Sequence, residues 1–205
     1  MLMNTLLETD STHDNDIIVH AIREIRDVEG MTCELGVRRG GGTKLIIDSL
    51  VENQDLNRHH IAIDPYGNID FPVGNMVRKY DYDNHMRRDC LANLYRYVNG
   101  LAVNLHFFVL EDTEFFERYY DGVPTYNLEK TIQTKYALVI LDGPHDTVSI
   151  KREFDFFRQR ALKGSIIIFD DILMYPHDRD MEPYILKNGY ELFKKGTQKA
   201  AYMKL

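Results

Sequence analysis

The chain has 205 residues, 44% of them hydrophobic, and acidic residues outnumber basic residues by 32 to 25. This length and composition suit one domain, residues 1–205, with a full core. The net charge of −7 disfavours nonspecific binding to nucleic acid phosphates and favours neutral or cationic substrates. No stretch approaches the ~20 apolar residues of a membrane span. The charge therefore argues against a nucleic acid as partner, and the lack of an apolar span argues against a membrane.

The cysteines and the first residues bear on the cellular compartment. Only Cys33 and Cys90 are present, which suits free thiols in a reducing compartment better than a disulfide framework. Residues 1–13 carry Glu8 and Asp10 where a signal peptide would have positive charge and a long apolar run. We therefore expect a cytoplasmic protein without a targeting segment.

Hydrophobic periodicity predicts alternating helices and strands. A first helix carries Ile17, Ile22 and Val28 at helical spacing and ends at Gly30. Seven strands are predicted, at 31–35, 60–64, 105–110, 136–142, 165–170, 191–194 and 200–205. Helical patterns join the first five strands, so we predict an α/β fold with a doubly wound, mostly parallel seven-stranded sheet and helices on both faces. The last two strands should form a hairpin-like pair at one edge, with one antiparallel edge strand.

One segment interrupts this alternation. Residues 66–82 are rich in Gly, Asn, Pro and aromatic residues, and a helical pattern with apolar residues from Met86 to Val98 follows. A long irregular stretch near a ligand site is often a lid that excludes water or recognises substrate. We predict such a lid within 66–100, and a surface excursion without chemistry is the alternative.

The stretch 33–43 predicts a ligand site, because a short strand passes through four glycines into a helix predicted at 44–51. Clustered glycines let backbone N–H groups approach a ligand, and the helix N-terminus favours an anionic group. Arg38 stands where the dinucleotide fingerprint G-x-G-x-x-G has its second glycine, which disfavours a dinucleotide.

Acidic residues follow several predicted strands at their carboxyl ends, where ligands of doubly wound sheets bind. They are Glu34, Asp64, Glu111, Asp142 and Asp170. Asp64 closes the second strand, and its two oxygens could accept hydrogen bonds from both hydroxyls of a ribose.

Four motifs occur in an informative order. The first is Glu34-x-Gly36, the second is the acid Asp64, and the third is Asp142-Gly-Pro-His145 after an apolar strand. The fourth spans 162–171 and consists of Leu-x-Gly followed by an apolar strand that ends in Asp-Asp. Together they resemble class I S-adenosylmethionine-dependent methyltransferases, and in particular the macrocin O-methyltransferase-like group. They are also similar in logic to catechol O-methyltransferase. The resemblance covers roughly residues 30–175 and implies a Rossmann-like methyltransferase fold.

The resemblance implies S-adenosylmethionine as cofactor. The residues expected to bind it are Glu34, Gly36, Gly40, Gly42, Thr43, Asp64, Glu111 and Asp112. Glu34 would face the amine, the glycine turn would face the carboxylate, and Asp64 would bind the ribose. For Glu111 and Asp112, which would lie near the adenine, capping of the following helix is the alternative.

The resemblance also places Asp142, Asp170 and Asp171 side by side. Three carboxylates this close repel one another unless a cation joins them, and all-oxygen ligation selects a hard ion such as Mg²⁺. In the alternative, Asp170 and Asp171 cap the next turn.

His145 is the expected general base, because an imidazole accepts a proton near neutral pH. Pro144 stands where relatives often carry an acid. His145 could instead only brace its turn by hydrogen bonding.

We therefore predict a metal-assisted O-methyltransferase that acts on a hydroxyl of a small molecule, either a sugar or a catechol-like phenol, and that could form a homo-oligomer. One alternative is an NAD(P)-dependent oxidoreductase on a similar sheet. The other is a non-catalytic S-adenosylmethionine-binding protein.

Overall fold

The computed structural model describes residues 13–73, 76–126 and 128–205, with side chains at all of these except 68–73 and 78–81. The helices are α1 (Asn15–Glu24), α2 (Gly41–Glu52), α3 (Asn84–Val98), α4 (Asp112–Arg118), α5 (Thr147–Arg158) and α6 (Glu182–Lys187). The strands are β1 (Met31–Leu35), β2 (His59–Ile63), β3 (Gly67–Val73), β4 (Met76–Tyr82), β5 (Asn104–Phe108), β6 (Val123–Tyr126), β7 (Lys130–Gln133), β8 (Tyr136–Leu141), β9 (Ala161–Phe169), β10 (Tyr190–Lys195) and β11 (Ala200–Lys204).

Seven strands form the central sheet in the order β10-β11-β9-β8-β1-β2-β5. All neighbouring strands are parallel except that β11 is antiparallel to both β9 and β10. The predicted doubly wound, mostly parallel sheet is therefore confirmed, with β10 and β11 as the expected pair at one edge. The antiparallel strand of this pair, β11, lies second from the edge.

The register of the sheet sets the position of the site. Leu35 pairs with Ile63 on one side and with Leu141 on the other, and Leu141 pairs with Phe169. The strands β1, β2, β8 and β9 therefore end at the same level. The polar residues that follow them are brought together at one edge of the sheet.

Both faces of the sheet are buried, as the nearly continuous apolar strands require. One face packs against α4, α5 and α6 through a cluster rich in aromatic residues, including Phe115, Phe154 and Tyr202. The other packs against α1 and α2 through an aliphatic cluster that includes Ile22 and Leu50. This burial holds the strand ends in a rigid frame.

Two hairpins lie outside the central sheet. Residues 66–82, expected to be irregular, mostly form the antiparallel pair β3 and β4, and β6 pairs with β7 in a second hairpin that the sequence did not predict. A two-stranded ribbon has only edge strands, which tolerate proline and glycine. Its composition therefore resembles that of a loop.

The remaining expectations concern membranes and thiols. Within the described ranges, no helix is both long enough and apolar enough to cross a bilayer. Cys33 and Cys90 are buried free thiols, as predicted.

Candidate active site

A cavity of about 540 Å³ lies at the carboxyl ends of the central strands, a volume typical of small-molecule sites. Most of the predicted site residues line it: Glu34, Gly36, Gly42, Asp64, Glu111, Asp112, Asp142, His145, Asp170 and Asp171. Gly40 and Thr43 are not among its lining residues. The register of the sheet thus brings together residues that are up to 137 positions apart in the sequence, from Glu34 to Asp171.

The glycine turn is built by contacts between β1 and its neighbours. Gly36 has a φ of +86°, and a side chain there would overlap the backbone carbonyl of Asp142. The Gly36 N–H donates to the Ile63 carbonyl at 3.0 Å. Only glycine suits this position, because it combines a positive φ with a close approach of two backbones. Gly40, with a φ of +87°, precedes α2, which begins three residues earlier than predicted.

Asp64 holds this turn in place. Its Oδ2 accepts hydrogen bonds from the N–H groups of Val37 at 2.9 Å and Arg38 at 2.7 Å, and its Oδ1 accepts from the N–H of Tyr66 at 2.9 Å. Burial raises the pKa of the Asp64 carboxyl, and the three backbone donors oppose the shift. Asp64 therefore lies in the cavity wall with much of its hydrogen-bonding capacity already used.

Glu34 faces the start of α2, where the Thr43 hydroxyl donates to its Oε2. A side chain at Gly42 would collide with Glu34 Oε1, which explains the glycine at this point. Burial raises the pKa of Glu34 to about 8, and the Thr43 hydrogen bond opposes the shift. A bound ammonium group would favour the ionised carboxylate, so this side chain suits a cationic ligand group.

Glu111 and Asp112 have partners within the protein as well as positions in the cavity wall. Glu111 and Glu114 form a capping box at the start of α4, in which the Glu111 N–H donates to Glu114 Oε2 at 3.2 Å. Asp112 pairs with Arg152 at 3.2 Å. The helix-capping alternative is thus present for Glu111, and it does not exclude a ligand contact.

Asp142, His145 and Asp171 form a cluster in which one candidate ligand atom from each lies within 4.8 Å of the others. His145 Nε2 is 3.4 Å from Asp171 Oδ2. Asp171 can join this cluster because β9 ends at Phe169 and Asp171 has a φ of +49°, so the strand alternation does not apply. The two carboxylates of this cluster fit a hard divalent cation, and the imidazole lies beside them.

Burial and neighbouring charges shift the pKa values of Asp142 and His145. Burial raises the pKa of Asp142 well above its usual range, Asp170 and Asp171 add to the shift, and Lys199 opposes it. Burial lowers the pKa of His145, while Asp171 and Asp170 oppose the shift. A cation among these groups would favour ionised carboxylates and a neutral imidazole.

Lys199 is a cavity residue that sequence reasoning missed, and it binds Asp170. Its ammonium Nζ lies 2.7 Å from Asp170 Oδ2 and 2.9 Å from Oδ1. Asp170 is accordingly absent from the metal-ligand group found among the described residues. No local motif marks Lys199, because its partner lies 29 residues earlier.

Glu153 of α5 is a second missed residue. Its side chain is fully buried, and neither carboxyl oxygen has a hydrogen-bond partner among the described residues. Burial raises its pKa well above the usual range. A Cβ atom at Gly143 would lie 2.9 Å from Glu153 Oε1, so this carboxyl underlies the Asp142–His145 turn.

Comparison with known families decides the class of the protein. The family model described as a methyltransferase domain matches residues 33–172, more than half of the chain. The chain belongs to this family. The predicted enzyme class, a methyltransferase, is confirmed, and the oxidoreductase alternative is wrong. No curated protein matches the chain in sequence.

Solved structures of methyltransferases share the fold. CalS11, a calicheamicin methyltransferase, is 18% identical with a TM-score of 0.61, and the O-methyltransferase NovP is 20% identical with a TM-score of 0.57. Each match covers 93% of this chain and 78% of the other. CalS11 is also described as a TDP-rhamnose 3′-O-methyltransferase. TomG from Streptomyces achromogenes, an O-methyltransferase in complex with S-adenosylmethionine, is 10% identical with a TM-score of 0.58, covering 97% of this chain and 82% of that one.

Proposed function

We propose that this methyltransferase transfers a methyl group from S-adenosylmethionine to a hydroxyl of a small molecule, with the help of a divalent cation. The observation that carries the proposal is one cavity that joins the glycine turn of β1 to the cluster of Asp142, His145 and Asp171. The O-methyltransferases among the structures of similar fold support a hydroxyl as acceptor. The motif order supports a member of the macrocin-like group.

The cofactor side of the cavity is assigned to residues between 34 and 112. Glu34, the glycine turn and Asp64 all line the cavity. Glu34 would offer a carboxylate to the amine, backbone N–H groups of the glycine turn would bind the cofactor carboxylate, and Asp64 would bind the ribose. Glu111 and Asp112 line the same cavity and would contact the adenine. When bound, S-adenosylmethionine supplies an electrophilic methyl group.

The acceptor side is assigned to the second half of the chain. Asp142 and Asp171 are the carboxylates for Mg²⁺ or another hard divalent cation, whose charge would lower the pKa of a coordinated hydroxyl. His145 accepts the hydroxyl proton at Nε2, the nitrogen that faces Asp171. The walls of the cavity would hold the deprotonated oxygen next to the methyl group of the bound cofactor.

The test is methyl transfer from S-adenosylmethionine carrying a radiolabelled methyl group to sugars, nucleotide-linked sugars and catechols. Nucleotide-linked sugars are included because CalS11 acts on TDP-rhamnose. We expect labelled methyl ether, loss of activity in excess chelator and recovery with MgCl₂. Gly36→Val, which blocks the glycine turn, is the inactive control.

The outcomes separate the parts of the proposal. Full activity in excess chelator would remove the cation from the reaction. Binding of S-adenosylmethionine without transfer to any of these hydroxyls would favour the non-catalytic binding protein. A nucleotide-linked sugar as the sole acceptor would place the protein beside CalS11 in substrate class.

A further inference from the structure

Lys199 and Asp170 form an ion pair in the wall of the cavity. The side chains are only 5% and 12% exposed, so water screens their attraction less than that of a surface pair. The ammonium contacts both carboxylate oxygens, at 2.7 and 2.9 Å. Asp170 is therefore engaged on both of its oxygens before any ligand binds.

A third contact further occupies Asp170. The backbone N–H of Asp171 donates to Asp170 Oδ1 at 2.7 Å, so this oxygen accepts two hydrogen bonds, while Oδ2 lies 2.7 Å from the Lys199 ammonium. The contact also fixes the backbone of Asp171, whose φ of +49° is unusual for a residue other than glycine. The ion pair thus helps to hold Asp171 in the orientation that faces His145.

The backbone around Lys199 is held in place by several hydrogen bonds. Asp14 Oδ2, just before α1, accepts from the N–H groups of Gln198 at 2.6 Å and Lys199 at 3.2 Å. The Gly196 N–H donates to the Lys199 carbonyl at 2.8 Å, and the Ile172 N–H donates to the Gln198 carbonyl at 3.0 Å. Lys199 therefore reaches Asp170 from a fixed turn between β10 and β11.

The local charge is balanced for one divalent cation. Lys199 and Asp170 together carry no net charge, which leaves the two negative charges of Asp142 and Asp171 when both are ionised. These two side chains, with His145, place candidate ligand atoms within 4.8 Å of one another. A third free carboxylate would leave an excess negative charge at the site.

We propose that Lys199 is a positioning residue that withdraws Asp170 from the cation site, so that Asp142 and Asp171 alone supply the carboxylate ligands. Asp170 then acts through its hydrogen bond to the Asp171 backbone and not as a ligand. This inference rests on the proposed function, because it assumes the cation assigned there. It departs from the set of three carboxylates expected from the sequence.

The test measures MgCl₂ and MnCl₂ binding to chelator-treated protein by titration calorimetry, without any activity assay. Asp170→Asn should weaken binding about tenfold, because the Lys199 charge then faces the ion unopposed. Lys199→Met should tighten binding about tenfold, because it frees a third carboxylate. Asp170→Asn combined with Lys199→Met should restore affinity to within about threefold of wild type, since the pair is removed as a neutral unit.

A ligand role for Asp170 predicts a different pattern. The double variant would then bind both ions at least as weakly as Asp170→Asn. This result would overturn the inference about Lys199, but it would not contradict the proposed methyl transfer. Lys195→Met is the matched control, because it makes the same charge change in an ion pair with Asp178 that does not line the cavity. It should leave metal affinity within about twofold of wild type.

Folding and function are checked separately. Melting temperature and S-adenosylhomocysteine binding establish that each variant is folded. If the double variant does not fold, Lys199→Arg replaces it in the test. Lys199→Arg keeps the ion pair and should bind metal like wild type. A Lys199→Arg protein with altered metal affinity would count against the inference. Wild-type protein that binds neither ion yet transfers methyl groups would overturn both this inference and the cation part of the proposed function.

Discussion

Asp64 accepts hydrogen bonds from three backbone N–H groups, so two roles compete for one carboxylate. It can bind the ribose directly, as proposed, or it can act only by shaping the glycine turn. Both roles predict weaker cofactor binding when the carboxylate is changed. A change in the ligand is therefore needed to separate them.

We expect Asp64→Asn to weaken S-adenosylhomocysteine binding about tenfold or more, because the ribose hydroxyls lose a charged acceptor. Calorimetry with the 2′-deoxy analogue completes a double cycle. If Asp64 binds the 2′-hydroxyl, the variant should lose little further affinity for the analogue. Equal losses for both ligands would limit Asp64 to holding the turn.

His145 has one ring nitrogen 3.4 Å from Asp171 and is proposed as the proton acceptor. His145→Ala should lower turnover by ~10²–10⁴ while cofactor affinity and melting temperature stay near wild type. Turnover, melting temperature and Mg²⁺ affinity should be measured on the same variant. A lowered melting temperature with weakened Mg²⁺ binding would instead indicate that His145 braces its turn, and ordinary turnover would exclude it as base.

At the scale of the elements, the hairpin of β3 and β4 is the proposed lid. It ends at Tyr82, which lines the cavity next to the cofactor side. Replacing residues 68–81 by a short Gly-Ser linker should raise KM for the acceptor about tenfold and leave S-adenosylhomocysteine binding nearly unchanged, because Glu34 and the glycine turn remain.

A second hairpin provides the matched control. The described residues of β6 and β7 do not line the cavity, so shortening that hairpin should leave KM unchanged. The lid proposal fails if both deletions have the same effect, or if the first deletion lowers cofactor affinity as much as it raises KM.

The sequence predicted the elements that end in an acid at the edge of the sheet. Apolar runs that stop at Glu34, Asp64, Asp142 and Asp170 mark buried parallel strands and their carboxyl ends, because burial on both faces requires such runs. The two hairpins escaped prediction because ribbons outside the central sheet lack this pattern.

The pairings inside the site were less predictable. Asp170 was placed correctly in the cavity, but its partner Lys199 lies on a turn between two other strands and no sequence pattern links them. Thr43 was expected at the cofactor, and its hydroxyl donates to Glu34. Such contacts depend on tertiary distances that spacing along the chain does not encode.

At the scale of the whole molecule, buried histidines make stability depend on pH. His60 is 2% exposed, its Nδ1 lies 2.9 Å from the Thr32 hydroxyl, and its Nε2 has no partner among the described residues. Burial lowers the pKa of His60 to about 3, His106 adds to the shift, and Thr32 opposes it. Between pH 6.5 and about 3, the unfolded chain therefore binds a proton that the folded protein does not.

The sign follows directly: stability is lost as the pH falls through this window, by up to about 1.4 kcal/mol per pH unit for one histidine. His60→Leu should flatten the dependence of the unfolding free energy on pH by that amount. Denaturant unfolding measured at several pH values between about 4 and 7 gives this slope, because that range covers most of the titration window. Thr32→Val, which keeps the imidazole, should retain the wild-type slope, and equal slopes in all three proteins would refute the account.

The position of β11 has a consequence for the order of events during synthesis. Among the described strands, β11 comes last in chain order, yet it pairs with β9 and β10 on its two sides. The edge strand β10 can join the sheet only through β11, and Lys199 arrives with the same turn. The nascent chain can therefore assemble the cofactor side of the cavity before β11 is available, whereas the acceptor side is completed only after β11 leaves the ribosome.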